Sequence, residues 1–204
     1  MNRRIWLRRH SAFLLVMALS LASEVRASET PGPEHTARVL KAIEKRRLGR
    51  APADLRAARE LNADGDNAYR EGDYSKAHTY YLHSTPNYPN AYAYIMTGDS
   101  HWRGVVRFQE KEARKPENRP PACPMDNKHF VGDLALDLAQ DYEVGLALAK
   151  RENDRRFLQS TLYRRARESA TCLQEVARFY ETQPPTACVD IAKLRQCLGA
   201  PLIK

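Results

Sequence analysis

The sequence predicts an all-α protein: a helix-turn-helix array followed by a C-terminal antiparallel helical hairpin. Three observations predict it. Apolar residues recur at intervals of three and four along most of the chain, the period of a helix with one buried face. No stretch alternates apolar and polar residues convincingly enough to be a strand. The segment GDNAYR at 65–70 returns as GDSHWR at 98–103, and a period near 33 residues marks stacked helical units.

The elements follow in order. Val39, Leu40 and Ile43 have helical spacing over 34–48, and Gly49 and Pro52 break the helix. Pro52 suits the first turn of the next helix, 53–71, which is rich in Ala, Leu, Arg and Glu. Gly72-Asp73 punctuates. Residues 74–84 form a shorter helix, ended by Pro86 and Pro89, and a further helix covers 91–108. Residues 110–127, EKEARKPENRPPACPMDN, are charged and proline-bearing and predict a loop. Phe130, Leu134, Leu138 and Tyr142, at intervals of four, predict a helix over 128–150. Leu158, Leu162, Ala166, Ala170, Leu173, Ala177 and Tyr180 predict another over 154–182. Pro184-Pro185 stops it, and 187–198 forms a short closing helix. The chain thus divides into 1–27, a leader; 28–109, the repeat-bearing helices; 110–127, the loop; and 128–204, a C-terminal helical region.

Residues 58–91 resemble a tetratricopeptide repeat. The resemblance rests on Gly65, Gly72, Tyr74, Ala77, Tyr81 and Pro89 in the tract GDNAYREGDYSKAHTYYLHSTPNYP. Small side chains at Gly65 and Ala77 let paired helices approach, Gly72 makes the turn, Tyr81 fills the groove and Pro89 ends the second helix. Asp64, Ala68 and Ser84 depart from the family pattern. A second unit, 92–121, keeps its first-helix residues but lacks the turn glycine and the small alanine.

The resemblance implies a partner-binding face on the first helix of each unit. Carried over by position, that face holds Arg59, Asn62, Asp66, Tyr69 and Arg70, then Ile95, Asp99, Trp102 and Arg103. Aromatic and arginine side chains are the usual anchors of protein recognition. The pairs Asp66/Arg70 and Asp99/Arg103 are also i,i+4 neighbours that would brace exposed helices. Several tyrosines crowd the same region; Tyr74, Tyr81 and Tyr92 are read as packing residues. His78 and His83 are five apart and point to different faces of a helix, which argues against a metal site. No G-x-S-x-G elbow occurs, and Asp133, Asp137 and Asp141 read as a solvated helix face. No catalytic set, cofactor or metal is expected.

The first 27 residues predict where the protein works. Arg3, Arg4, Arg8 and Arg9 precede an uncharged apolar stretch, SAFLLVMALSLA, and Val25-Arg26-Ala27 has the form of a cleavage site. That is the pattern of a secretory signal peptide, too short in its apolar part to span a bilayer. Half of the formal charge of +8 sits in this segment. The remainder interleaves acids and bases, the balance of an ordinary surface, with no nucleic-acid footprint. All four cysteines lie beyond the leader, and an even count in an oxidising compartment predicts two disulfides. The turn at Pro184-Pro185 brings Cys172 and Cys197 level across the expected hairpin. Cys188 and Cys197 would lie roughly 13 Å apart along one helix, too far to bond. The predicted pairs are therefore Cys172–Cys197 and, by elimination, Cys123–Cys188.

These readings lead to an expectation: a periplasmic or secreted protein, not an enzyme, that binds a protein partner in a groove of tetratricopeptide-like helices. No nucleic acid and no membrane span after cleavage are expected. The alternative is a periplasmic inhibitor or immunity protein that blocks a toxin or enzyme with loop 110–127.

Overall fold

The computed structural model describes residues 33–115, 127–184 and 188–203. The expected leader at 1–27, residues 116–126 of the expected loop, and Cys123 lie outside them. The described chain holds eight helices and no strand: α1 (Pro33–Arg47), α2 (Pro52–Arg70), α3 (Tyr74–Asn87), α4 (Ala91–Ala113), α5 (Asn127–Glu152), α6 (Arg155–Leu158), α7 (Thr161–Thr182) and α8 (Ile191–Gln196).

Local chemistry sets most boundaries. At the start of α2, Pro52 needs no N–H partner in a first turn, and the Ala51 N–H donates to Asp54 at 2.9 Å. Asp73, Asn90, Asp154, Ser160 and Asp190 cap α3, α4, α6, α7 and α8 by accepting first-turn N–H groups. Gly72 has φ +76°, the left-handed geometry that lets α2 turn into α3. Pro86 does not stop α3 as expected; the helix runs on to Asn87. Proline removes the N–H that the Leu82 carbonyl would receive, and the Thr85 hydroxyl donates to that carbonyl instead, at 2.9 Å.

The helices pack mainly on their sequence neighbours, α2 on α3, α3 on α4, α4 on α5 and α5 on α7. Ser84 donates to the Ala58 carbonyl, His78 meets Thr97, and Gly132 lies under Tyr180, so successive helices run antiparallel. Close approach needs missing side chains. A Cβ at Gly65 would lie 2.6 Å from the Tyr81 ring, and one at Gly145 would lie 2.8 Å from Ile95 and 3.0 Å from the Ala91 carbonyl. The main core joins α1, α4, α5, α7 and α8 around Ile95, Trp102, Leu138, Tyr142, Leu148, Leu173 and Leu194. A smaller core of Ala68, Tyr69, Ala77, Tyr81 and Met96 joins α2, α3 and α4. Helix α1 packs on α5 rather than on α2, with Arg151–Glu44 paired at 2.5 Å and Arg47 bonded to Glu152 and to the Pro89 carbonyl.

Three expectations about the second half are corrected. Residues 110–113 belong to α4, because QEKEA continues its helix with no proline or glycine to break it. The helix expected over 154–182 is two, because Ser160 caps a new helix by accepting the Tyr163 N–H. The closing helix is only Ile191–Gln196, so α7 finds its long antiparallel partner in α5. The cysteine expectation for this region holds. Cys172 and Cys197 are bonded, with Cα atoms 5.4 Å apart. Cys188 is also in a disulfide.

The Gly65–Tyr81 contact yields a test. Tyr81 is fully buried, so its ring has nowhere to go when a methyl is added at Gly65. Gly65→Ala should cost about 1–3 kcal/mol in urea unfolding despite its better helix propensity. Gly49→Ala, with open space around it, should be neutral or slightly stabilising. Equal midpoints for the two variants would contradict the packing described.

Candidate functional site

The expected binding residues divide into four groups. Ile95 is fully buried and packs against Gly145 of α5, so it is core and not groove lining. Trp102 is buried as well, and its indole N–H donates to the Leu194 carbonyl of α8 at 3.3 Å. Arg59 and Arg70 are exposed on the rim of α2. The remaining five, Asn62, Asp66, Tyr69 and the pair Asp99–Arg103, form the polar interior between α2 and α4.

Asp66 bridges three helices. Its Oδ1 accepts from Tyr81 at 2.7 Å and from Tyr92 at 2.5 Å. Burial pushes both phenols up, and the neighbouring carboxylate adds to it, so they stay protonated donors. Asn62 sits one turn before Asp66 on α2. Its Oδ1 is the one buried side-chain polar atom among the described residues with no hydrogen-bond partner.

Asp99 is the centre. Only 3% exposed, it accepts from Arg103 Nε at 2.7 Å, from Tyr142 at 3.2 Å and from the Tyr69 hydroxyl. Those donors come from α4, α5 and α2. Burial opposes the Arg103 charge, but Asp99 outweighs it and raises the arginine pKa. Tyr69 is shifted upward by burial first and Asp99 second. The guanidinium also lies 5.7 Å from the Tyr69 ring centre and 5.8 Å from that of Tyr74. The result is a fixed cluster with donors left over.

Those donors hold the chain's own segment 198–203. Arg103 Nη2 donates to the Leu198 carbonyl at 2.6 Å and to the Ala200 carbonyl at 3.0 Å. Arg165 of α7 donates to the carbonyls of Ala200 and Pro201 at 3.3 and 3.1 Å. The Tyr69 oxygen accepts the Leu202 N–H at 3.1 Å. Leu202 and Ile203 pack on the smaller core beside Tyr69 and Met96. Sequence reasoning missed Tyr142, Arg165 and this segment. Tyr142 read as an apolar position, and the segment lay beyond the last periodic helix. Its only signal was an apolar run, Pro201-Leu202-Ile203, with no helical period to place it.

A second aromatic contact lies between α3 and α4. His78 and His101 stack with ring centres 4.2 Å apart, and His78 Nδ1 faces the Thr97 carbonyl at 3.3 Å. Burial, then the neighbouring His78, lowers the His101 pKa to about 4, and burial lowers His78 as well. Among the described residues, no three His, Cys, Asp or Glu side chains gather as a metal site would need. No helix among them is long and apolar enough to cross a membrane. Comparison with protein-family profiles, with curated proteins and with solved structures found no match to the chain.

Two measurements follow. Asp99→Asn leaves Arg103 buried beside a neutral amide, and breaking a buried pair costs about 3–5 kcal/mol. Denaturant unfolding should lose at least ~3 kcal/mol; a loss below ~1 would show that the cluster does not hold the fold. For His101, the folded state favours the neutral ring, so the unfolded chain binds more protons between the two pKa values. Stability is therefore lost as pH falls from 6.5 toward about 4, by at most about 3 kcal/mol. His101→Gln should unfold with a flatter pH profile than the unsubstituted protein over that window. Parallel profiles would refute the assignment.

Proposed function

We propose that this protein is an exported interaction module that holds a segment of a protein partner in the groove between α2 and α4. One observation carries the reading. Tyr69, Asp99 and Arg103 converge from two helices into a fixed cluster whose spare donor and acceptor positions match a peptide main chain. The side chains of such a cluster are already oriented, which lowers that part of the cost of association.

Further features support it. The α2–α3 hairpin has the close Gly65–Tyr81 approach and the Gly72 turn that the tetratricopeptide resemblance implies. Exposed Arg59 and Arg70 lie on the rim, where they would steer an acidic partner surface. The arginine-rich leader and the bonded Cys172 and Cys197 suit an oxidising compartment such as the periplasm. The reading is of a binder, because Asp66 and Asp99 hold the hydroxyls of Tyr81, Tyr92, Tyr69 and Tyr142 in structural hydrogen bonds.

The rim residues supply the test, since changing them does not disturb the core. Arg59→Glu with Arg70→Glu should cut capture of the partner from envelope extract at least tenfold, with the melting temperature unchanged. Shortening the expected loop within 116–126 should leave capture intact. The opposite ranking would favour an inhibitor or immunity protein that acts through the loop.

A further inference from the structure

The segment 198–203 docks through its main chain and three aliphatic side chains, Leu198, Leu202 and Ile203. Side chains bind four of its backbone groups: the carbonyls of Leu198, Ala200 and Pro201, and the N–H of Leu202. Every side chain that binds them, Tyr69, Arg103 or Arg165, belongs to a helix. Tyr69 and Arg103 are oriented by Asp99, which does not touch the segment through any hydrogen bond described. The groove is thus complete without its occupant, and any peptide with the same backbone path meets the same partners.

The segment is also short and tethered. It begins directly after Cys197, which is bonded to Cys172 on α7. A leash of this length holds its end at a high local concentration, on the millimolar scale for short flexible links. No regular structure locks it, since residues 198–203 form neither helix nor strand.

From this we propose that residues 198–203 are an intramolecular occupant of a peptide-reading site, displaceable by a partner segment of the same chemistry. That chemistry is a nonhelical stretch with a small residue, a proline and two consecutive branched aliphatic residues, matching Ala200, Pro201, Leu202 and Ile203. The main-chain bonds set the path of the ligand, and the aliphatic pair beside Tyr69 and Met96 selects it. The tether sets a threshold: a ligand must outcompete the local segment to bind. This deepens the proposed function and rests on the α2–α4 groove being the partner site.

The experiment uses the full chain with Leu202→Asp and Ile203→Asp, which weaken the occupant and leave both cysteines in place. The probe is a fluorescein-labelled peptide of sequence LGAPLI, followed by fluorescence anisotropy. The variant should bind the probe at least tenfold more tightly than the unsubstituted protein. Adding Arg165→Ala should reduce that affinity at least fivefold, and a probe carrying Asp at both aliphatic positions should not bind. A folded variant with no gain in probe affinity would overturn the proposal. A variant that fails to fold would overturn it too, because a displaceable occupant cannot be obligatory for folding. Concentration-dependent dimers of the unsubstituted protein, dissociated by the probe, would instead make a second copy the occupant and overturn it. Failure here with capture still sensitive to Arg59 and Arg70 removes only the competition. A gain in probe binding with capture insensitive to them removes the proposed partner site.

Discussion

A buried carboxylate organises this protein. A buried carboxyl group needs hydrogen-bond partners on both oxygens, and Tyr69, Arg103 and Tyr142 all reach Asp99. Each donor fixes a helix: α2 through Tyr69, α5 through Tyr142 and α4 through Arg103 itself. Apolar packing would tolerate small rotations of these helices about their axes. A buried carboxyl group held by three donors tolerates far less, because every displaced donor exposes an unmet demand. The spare donors of Arg103 therefore point where they do as a by-product of satisfying Asp99.

Around that centre, the helices come together by pairing large side chains with absent ones. Tyr81 lies over Gly65, Tyr142 over Gly98 and Ile95 over Gly145. The tyrosines do double duty, since each ring fills space and each buried hydroxyl must find an acceptor. Asp66 and Asp99 are those acceptors. This pairing accounts for Tyr69, Tyr81 and Tyr92, whose rings fill the interior and whose hydroxyls reach the two carboxyl groups.

The helical architecture was legible because period and punctuation act locally. Gly72, the Ser and Asp caps and the prolines each settle a boundary with nearby atoms. The exceptions have local causes too: Thr85 rescues the carbonyl that Pro86 orphans, and Ser160 starts a helix inside an apolar pattern that runs straight past it. The site was only partly legible. Tyr69, Asp99 and Arg103 were marked as one face by the tetratricopeptide resemblance, yet a resemblance alone could not tell an open face from a covered one. Ile95 and Trp102 were carried over with them and face α5 and α8. The covering elements, α8 and residues 198–203, lie more than ninety positions from Trp102 and Arg103, and no periodic signal links them. The Cys172–Cys197 bond was reached from an assumed longer closing helix, so the pair was right although the hairpin behind it was not.

The order in which the chain is synthesised gives the filled groove another meaning. The walls come from α2 and α4, and their hydrogen bonds to the covering segment span 95, 97 and 133 positions. Most other contacts join neighbouring helices and can form as each helix emerges. Both walls therefore precede the covering segment in the chain, whatever channel the chain emerges from. Until residues 198–203 arrive, Tyr69 and Arg103 lack the main-chain partners they have in the finished fold. Covering that surface is a late step by the order of the chain itself.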